Sequence, residues 1–393
     1  MVRMETERLQ GHVRQLCVES QGFLGLEPAF VARDWIPAGH RLALPAGMTA
    51  DQGDRGAICE RWLASTTKAD NAVGPDDEGL SRISAGGFPD VTLQQAVEAA
   101  PEAIMGAVYA GGHRDLGRLA KVFDYGERVP MHIHPPAEEA ALVGRNSKDE
   151  AYYFLGGAPL GLHPESFFGL HPFVSTAEGQ EALVDCLVRW EDDRILSLSR
   201  AYLEVAEEGF FVPSGVVHAT GTALTFELQE ASDTLAMLQA VNAGRLIDKS
   251  LLFKDVSSEH RERLGERAIL RWIDWDANTD PDLYSTFHVV PRSRAAGPGW
   301  SADWILYGSQ KFVGTRLRLD PGVSLTWTEP GVYSVFAWTG EGSLGPREVV
   351  AGQPGLDELL VCHDAAVTPH EITNTGDQVL ELILYFGPDI HTM

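Results

Sequence analysis

His132 and His134 stand one residue apart in the run Gly126-Glu-Arg-Val-Pro-Met-His-Ile-His134. On a strand, residues two apart share a face, so both imidazoles point the same way. Facing an interior, they can give two nitrogens to a single ion. His218 follows Pro213-Ser-Gly215-Val-Val, where a Pro-Gly turn delivers a third imidazole at the start of a new run. Three acids compete for the carboxylate position: Glu138, Glu139 and Glu150. Glu150 is preferred, because it opens the β-like run EAYYFLGG, whereas PPAEEAA reads as a loop or a helix start. A strand holds a ligand more firmly than a loop does. The predicted ligands are therefore His132, His134, Glu150 and His218, around one divalent metal ion. Zinc is the expected ion, and manganese, iron, cobalt and nickel also suit such donors. The other histidines, among them His40, His113, His163, His171 and His288, lack this context.

The elements that must position these groups are mostly strands. From 115 to 238, short runs rich in Val, Phe, Tyr and Leu alternate with turn residues, as in LAKVFDYGERVPMHIHPP and GFFVPSGVVHATGTALTFELQ. This is the texture of an antiparallel barrel or jelly roll. Residues 1–25 are expected to be helical, 27–65 to be strands and turns, and 66–90 to be a loop. Residues 91–107 read as helix, with Pro101 starting a second one. A helical insert is expected over 239–285, where SSEHRERLGERAILRWIDW has helical spacing. The Pro/Gly/Arg-rich stretch 291–300 reads as a loop, and β texture returns from 302 in DWILYGS, VYSVFAWTG and VLELILYFG. The expected division is 1–114, strands and helices packing on the first β unit; 115–238, the metal-binding unit; 239–285, the insert; and 286–393, a second β unit.

Composition excludes several classes of function. Lys plus Arg total 31 against 56 Asp plus Glu, a net charge of −25. Such a chain repels nucleic acid and anionic membranes at long range. The four cysteines, Cys17, Cys59, Cys186 and Cys362, are far apart and form no CxxC pair, which disfavours a disulfide framework or a zinc knuckle. The N-terminus lacks the apolar run of a signal peptide, and no stretch has spanning length. A cytoplasmic protein with a small-molecule substrate is expected.

In order and spacing, the two histidine segments resemble the paired motifs of the cupin superfamily, G-x5-H-x-H with a later Glu and Gly, then P-x-G-x2-H. Glu150 to Gly157 reproduces the E-x6-G ending. The same residues resemble type I mannose-6-phosphate isomerase over much of the N-terminal two-thirds. AICERWLAS (57–65) is similar to that family's G-E-x-W segment, Lys148-Asp-Glu150-Ala-Tyr-Tyr to K-x-E-x-W-Y, and FELQEASDT (226–234) to E-I-Q-Q-x-S-D-T. The resemblance implies a mainly β fold with helical insertions and two cupin-type barrels or jelly rolls. The first would bind metal and the second would be degenerate, since Pro369-His370-Glu-Ile-Thr-Asn374 resembles only a motif tail. It implies a metal-dependent aldose–ketose isomerase that moves a proton between adjacent carbons of a sugar or sugar phosphate through an enediol. Glu227 is the candidate base: in TFELQ, alternation puts Thr225, Glu227 and Gln229 opposite Phe226 and Leu228. The alternative role for Glu227 is pairing with a neighbouring cation. Lys148, two residues before Glu150, would bind a sugar hydroxyl or phosphate and assist catalysis, and Trp62 would contact the sugar.

Two departures from the family stand out. His132 takes the place of a usual Gln. After Ser232-Asp-Thr234 the chain continues Leu-Ala-Met237, where the family carries a substrate-binding Arg, and the next arginine is Arg245. Two other readings follow: an Fe(II) cupin dioxygenase, because three His and one Glu suit iron, and a non-catalytic sugar-binding cupin.

Overall fold

The computed structural model describes residues 2–84 and 91–391. The end of the loop expected over 66–90 lies outside the described residues. As expected, the chain is mainly β with helical insertions. Period-two alternation explains how the sheets layer. In the strands Arg118–Phe123, Glu150–Phe154 and Thr225–Glu230, one set of residues (Ala120, Val122, Ala151, Tyr153, Phe226, Leu228) packs against Ile305, Phe336, Ile383 and Tyr385 of the C-terminal unit. The alternate set, with Phe123, Tyr152 and Phe154, faces the other way. Strands buried on both faces read as continuous apolar runs, and Leu380–Phe386 is buried at every position.

Seven strands form the central sheet, in the order His288–Val289, Gly209–Val212, Glu150–Phe154, Thr225–Glu230, Arg118–Phe123, Ala57–Leu63 and Ala29–Arg33. A five-stranded sheet carries His132–Ile133 and His218–Ala219 side by side. Its outer face, with Ile133, Val217 and Ala219, packs on a helical layer that includes Leu183, Leu187, Ile269 and Trp272. The C-terminal unit pairs an eight-stranded with a four-stranded sheet around Leu317, Val335, Leu344, Ile372 and Leu382. None of these sheets, as described, closes on itself: of the expected barrels or jelly rolls, closed barrels are not seen. No helix among the described residues is long and apolar enough to cross a membrane.

Three expectations are corrected. The N-terminal segment does not pack on the first unit alone: Phe23–Glu27 pairs antiparallel with Glu358–Val361 and so belongs to the C-terminal sheet. Buried Arg61 joins the same two regions through Asp357 at 2.7 Å and Glu358 at 3.1 Å. The stretch 291–300 is not a loop: Arg292–Gly297 is an edge strand paired with Trp300–Leu306. Pro291 is tolerated beside it because an edge strand has one side unpaired. Finally, Ala177–Arg189 is a helix inside the unit read as β. Thr176 caps it by accepting from Gly179 N, and Leu183, Val184 and Leu187 form its buried stripe.

Candidate metal centre

The site lies between the five-stranded and the central sheet. On the first, His218 is the direct cross-strand partner of His132, and their ring centroids are 4.1 Å apart. Gly215 sets up this pairing. Its φ of +85° is open to glycine and strained for other residues, and its N–H donates to His134 O at 3.0 Å, tying the turn to the neighbouring segment. On the second sheet, Glu150 starts the strand Glu150–Phe154. His132, His134, Glu150 and His218 are all buried and offer ligand atoms within 4.8 Å of one another, a spread that one small ion can span.

Backbone contacts orient all three rings. Each Nδ1 faces a carbonyl, which can only accept: His132 meets Pro130 O at 2.8 Å, His134 meets Thr234 O at 2.7 Å and His218 meets Val216 O at 2.9 Å. Each ring therefore carries a proton on Nδ1 and turns its Nε2 inward. His218 Nε2 lies 2.8 Å from Glu150 Oε1. His218 Nε2 and Glu150 Oε2 are buried and make no hydrogen bond of good geometry. Buried polar atoms left without a hydrogen bond call for a partner, and three imidazoles with one carboxylate fit a divalent metal ion.

The electrostatics agree. Burial, with His218 and His134 nearby, pushes His132 well below the usual histidine range. Burial and then Lys148 hold His134 at about 4. Burial would raise Glu150, but Lys148 and the imidazoles outweigh it and hold the carboxyl well below its ordinary value. Two neutral imidazoles and one carboxylate are thus ready to bind a cation at neutral pH.

From Glu150 a chain of alternating charges runs across the central sheet. Lys148 Nζ is 2.6 Å from Glu150 and 3.4 Å from Glu227. Lys121 lies 3.1 Å from Glu227 and 4.0 Å from Glu60. Arg33 lies 2.8 Å from Glu60 and 3.2 Å from Asp233. Lys121, Glu227 and Tyr152 face one another in register on three adjacent strands. These groups line a cavity with about 40 Å³ of free volume beside the histidines, room for a few water-sized groups.

Glu60 makes the fold sensitive to acid. Burial would raise it, yet Arg33 and Lys121 hold it at about 2. A depressed carboxylate contributes stability above its unfolded value, here 4.5, and loses it as pH falls through the folded one. The shift corresponds to about 3 kcal/mol. Denaturant midpoints measured from pH 5 to pH 2 should fall steeply, and Glu60→Gln should flatten that decline.

No family model and no curated protein matches the sequence. Solved structures do match. Mannose 6-phosphate isomerase from Bacillus subtilis aligns over 93% of this chain and 99% of its own, with a TM-score of 0.63 and 18% identity. A variant of phosphomannose isomerase from Salmonella typhimurium aligns over 93% and 100%, with a TM-score of 0.65 and 14% identity. A zinc-bound mannose 6-phosphate isomerase aligns over 93% and 100%, with a TM-score of 0.62 and 14% identity. This chain has the mannose-6-phosphate isomerase fold. At such low identity the likeness concerns the fold, and function rests on the site itself.

Within this fold the structure brings together His132, His134, Glu150, His218, Lys148 and Glu227. It separates the two competing acids. Glu139 turns to the helical layer, where it pairs with His260 at 2.9 Å and Arg271 at 2.7 Å. Glu138 lies in the first turn of the same short helix, Ala137–Leu142, and neither acid lines the cavity. Trp62 is a correction. It is fully buried among Ala29, Val31, Ala69 and Leu119, and its Nε1 donates to Glu60 Oε2 at 2.7 Å. It stands opposite Lys121 in register but positions Glu60 from behind instead of reaching the cavity. Trp35 lines the cavity instead. Arg33, Glu60, Lys121, Tyr152 and Asp233 were missed by sequence reasoning. For Arg33, Glu60 and Lys121 the signal is charge within otherwise apolar strands, as for Lys121 in RLAKVF.

Proposed function

We propose that this protein is a metal-dependent aldose–ketose isomerase acting on a sugar or sugar phosphate through an enediol. The observation that carries the reading is Glu227. It is buried, its Oε1 meets Lys148 at 3.4 Å without a hydrogen bond of good geometry, and it lines the same cavity as His132, His134 and Glu150. Burial is the main cause that lifts its carboxyl to about 7, against the pull of Lys121 and Lys148. A base with this value is matched to proton abstraction near neutrality.

Glu227 would take the proton from the carbon beside the carbonyl and return it to the neighbouring carbon. Lys148, between Glu150 and Glu227, would donate to a substrate oxygen. Tyr152, whose hydroxyl donates to Glu150, keeps that carboxylate oriented. The buried side chains lining the cavity would limit exchange of the transferred proton with water. A divalent ion held by His132, His134, Glu150 and His218 would supply electrostatic stabilisation of the developing oxyanion. The zinc-bound neighbour of the same fold supports zinc as that ion. The C-terminal unit serves as scaffold in this reading, with His370 engaged by Tyr333 at 2.9 Å and Thr368 O at 2.9 Å.

The test combines metal analysis with an isomerisation screen of aldoses and their phosphates, with and without chelator. About one ion per chain and a chelator-sensitive interconversion are expected. Below pH 7, kcat/KM should fall about tenfold per unit as Glu227 becomes protonated. A bound metal with oxygen consumption and no isomerisation would transfer the assignment to an iron oxygenase. Tight sugar binding without turnover would make the protein a sugar-binding cupin.

A further inference from the structure

The charges around the cavity bear on what can enter it. A phosphate ester brings about two negative charges and needs cations with free donors. Arg33 has none free. Its five N–H groups make five hydrogen bonds: Nε to Glu60, Nη2 to Glu60 and Asp233, and Nη1 to Asp233 and Asn71, all between 2.8 and 3.3 Å. Lys121 is shared by Glu227 and Glu60, and Lys148 by Glu150 and Glu227. Inside the cavity, three cations thus face four carboxylates: Glu60, Glu150, Glu227 and Asp233.

The rim is balanced too. Lys254 Nζ donates to Asp233 O at 3.1 Å and lies 3.5 Å from Asp70. Arg145 lies 2.9 Å from the same Asp70 oxygen. Asp255, next to Lys254 in the chain, is buried and accepts from Leu235 N at 2.9 Å. Both rim cations therefore meet Asp70. Among the described residues of the cavity and this rim, every cation already has a carboxylate partner.

We infer that the cavity takes the reacting end of an uncharged open-chain sugar, in preference to its phosphate ester; the inference rests on the isomerase reading. With Glu227 ionised to act as the base, a divalent ion would turn the inner excess of one negative charge into one positive charge. That charge balances a single developing oxyanion and leaves nothing for a phosphate. A phosphate at the rim would compete with Asp70 for Arg145 and Lys254; deeper in, it would have to pull Arg33 out of a buried network, and a separated buried pair is costly. Sugar hydroxyls, by contrast, are donors, and acids are the acceptors that suit them. The net charge of −25 also opposes a dianion's approach.

The experiment titrates the metal-loaded protein calorimetrically with mannose, glucose and fructose and with their 6-phosphates, and assays isomerisation of each. The free sugars should bind at least tenfold more tightly and be the ones converted. Preferential binding and turnover of the esters would overturn the inference and leave the isomerase reading intact. Preferential binding of free sugars without conversion would uphold the substrate class and sink the isomerase reading. Binding of neither would overturn both. Asp70→Asn, at the half-exposed rim, relieves the competition for Arg145 and Lys254. It should shift the ratio of affinities toward the esters by threefold or more, and an unchanged ratio would count against the rim's role.

Discussion

Glu227→Gln should lower turnover by about a thousandfold, within the roughly 10²–10⁴ expected for loss of a positioned general base, while the protein keeps its metal. The amide keeps the shape of the side chain but cannot accept a proton. Its neighbours retain partners: Lys121 keeps Glu60 and Lys148 keeps Glu150. None of the four proposed ligands is altered, so metal content should remain near one per chain. The pH profile provides a second readout. In the parent protein, the acid limb should report a group near 7, because burial raises Glu227 more than the two lysines lower it. In the variant that limb should vanish from the residual rate. A variant with parental turnover, or one with the limb unchanged, would remove Glu227 from the base position and leave it as a partner of Lys121.

Glu150→Gln should reduce metal affinity by at least about a hundredfold, beyond the roughly 10–100-fold typical of outer contacts, and activity should fall with occupancy. Burial and their neighbours keep His132 and His134 neutral at neutral pH. Glu150 is therefore the anion of the donor set, and its loss removes the formal charge that attracts a divalent ion. It also leaves Lys148 beside the imidazoles, with its Nζ 3.2 Å from His134 Nε2, so a positive charge then opposes the incoming ion. Glu139→Gln is the matched control. It removes a buried carboxylate that holds His260 and Arg271, so it should lower thermal stability and leave metal content unchanged. Metal analysis of both variants decides the assignment. Full occupancy in Glu150→Gln, or loss of metal in Glu139→Gln, would reverse the choice of carboxylate.

Much of the site was legible because its signals are local. His132 and His134 needed only a two-residue period, and His218 only the turn at Pro213 and Gly215. Glu150 was distinguished from Glu138 and Glu139 by a strand-like run against a helix start, and the structure has that same strand and that same helix. The β runs of both units were legible for the same reason. The helix Ala177–Arg189 escaped because its thirteen residues sit among strands and were averaged into their texture. The edge strand Arg292–Gly297 escaped because its stability comes from its neighbour: Arg294 crosses to Glu329 at 2.8 Å and lies over the Trp304 ring at 4.4 Å.

Trp62 shows where local reading stops. Its segment pointed toward a sugar, and alternation does place it in line with Lys121. Whether that line ends in core or in cavity depends on what covers the sheet, and here Ala69 of the following loop packs on Trp62, with Ala29, Val31 and Leu119 flanking it on adjacent strands. The sequence alone determined which residues could bind a metal and which strand faces they occupy, because side-chain direction follows from spacing along one strand. Only the tertiary structure decided that Arg33, Glu60, Lys121 and Asp233 join them. Those groups come from separate stretches, and only the pairing of strands and stacking of sheets bring them close enough for charge to act.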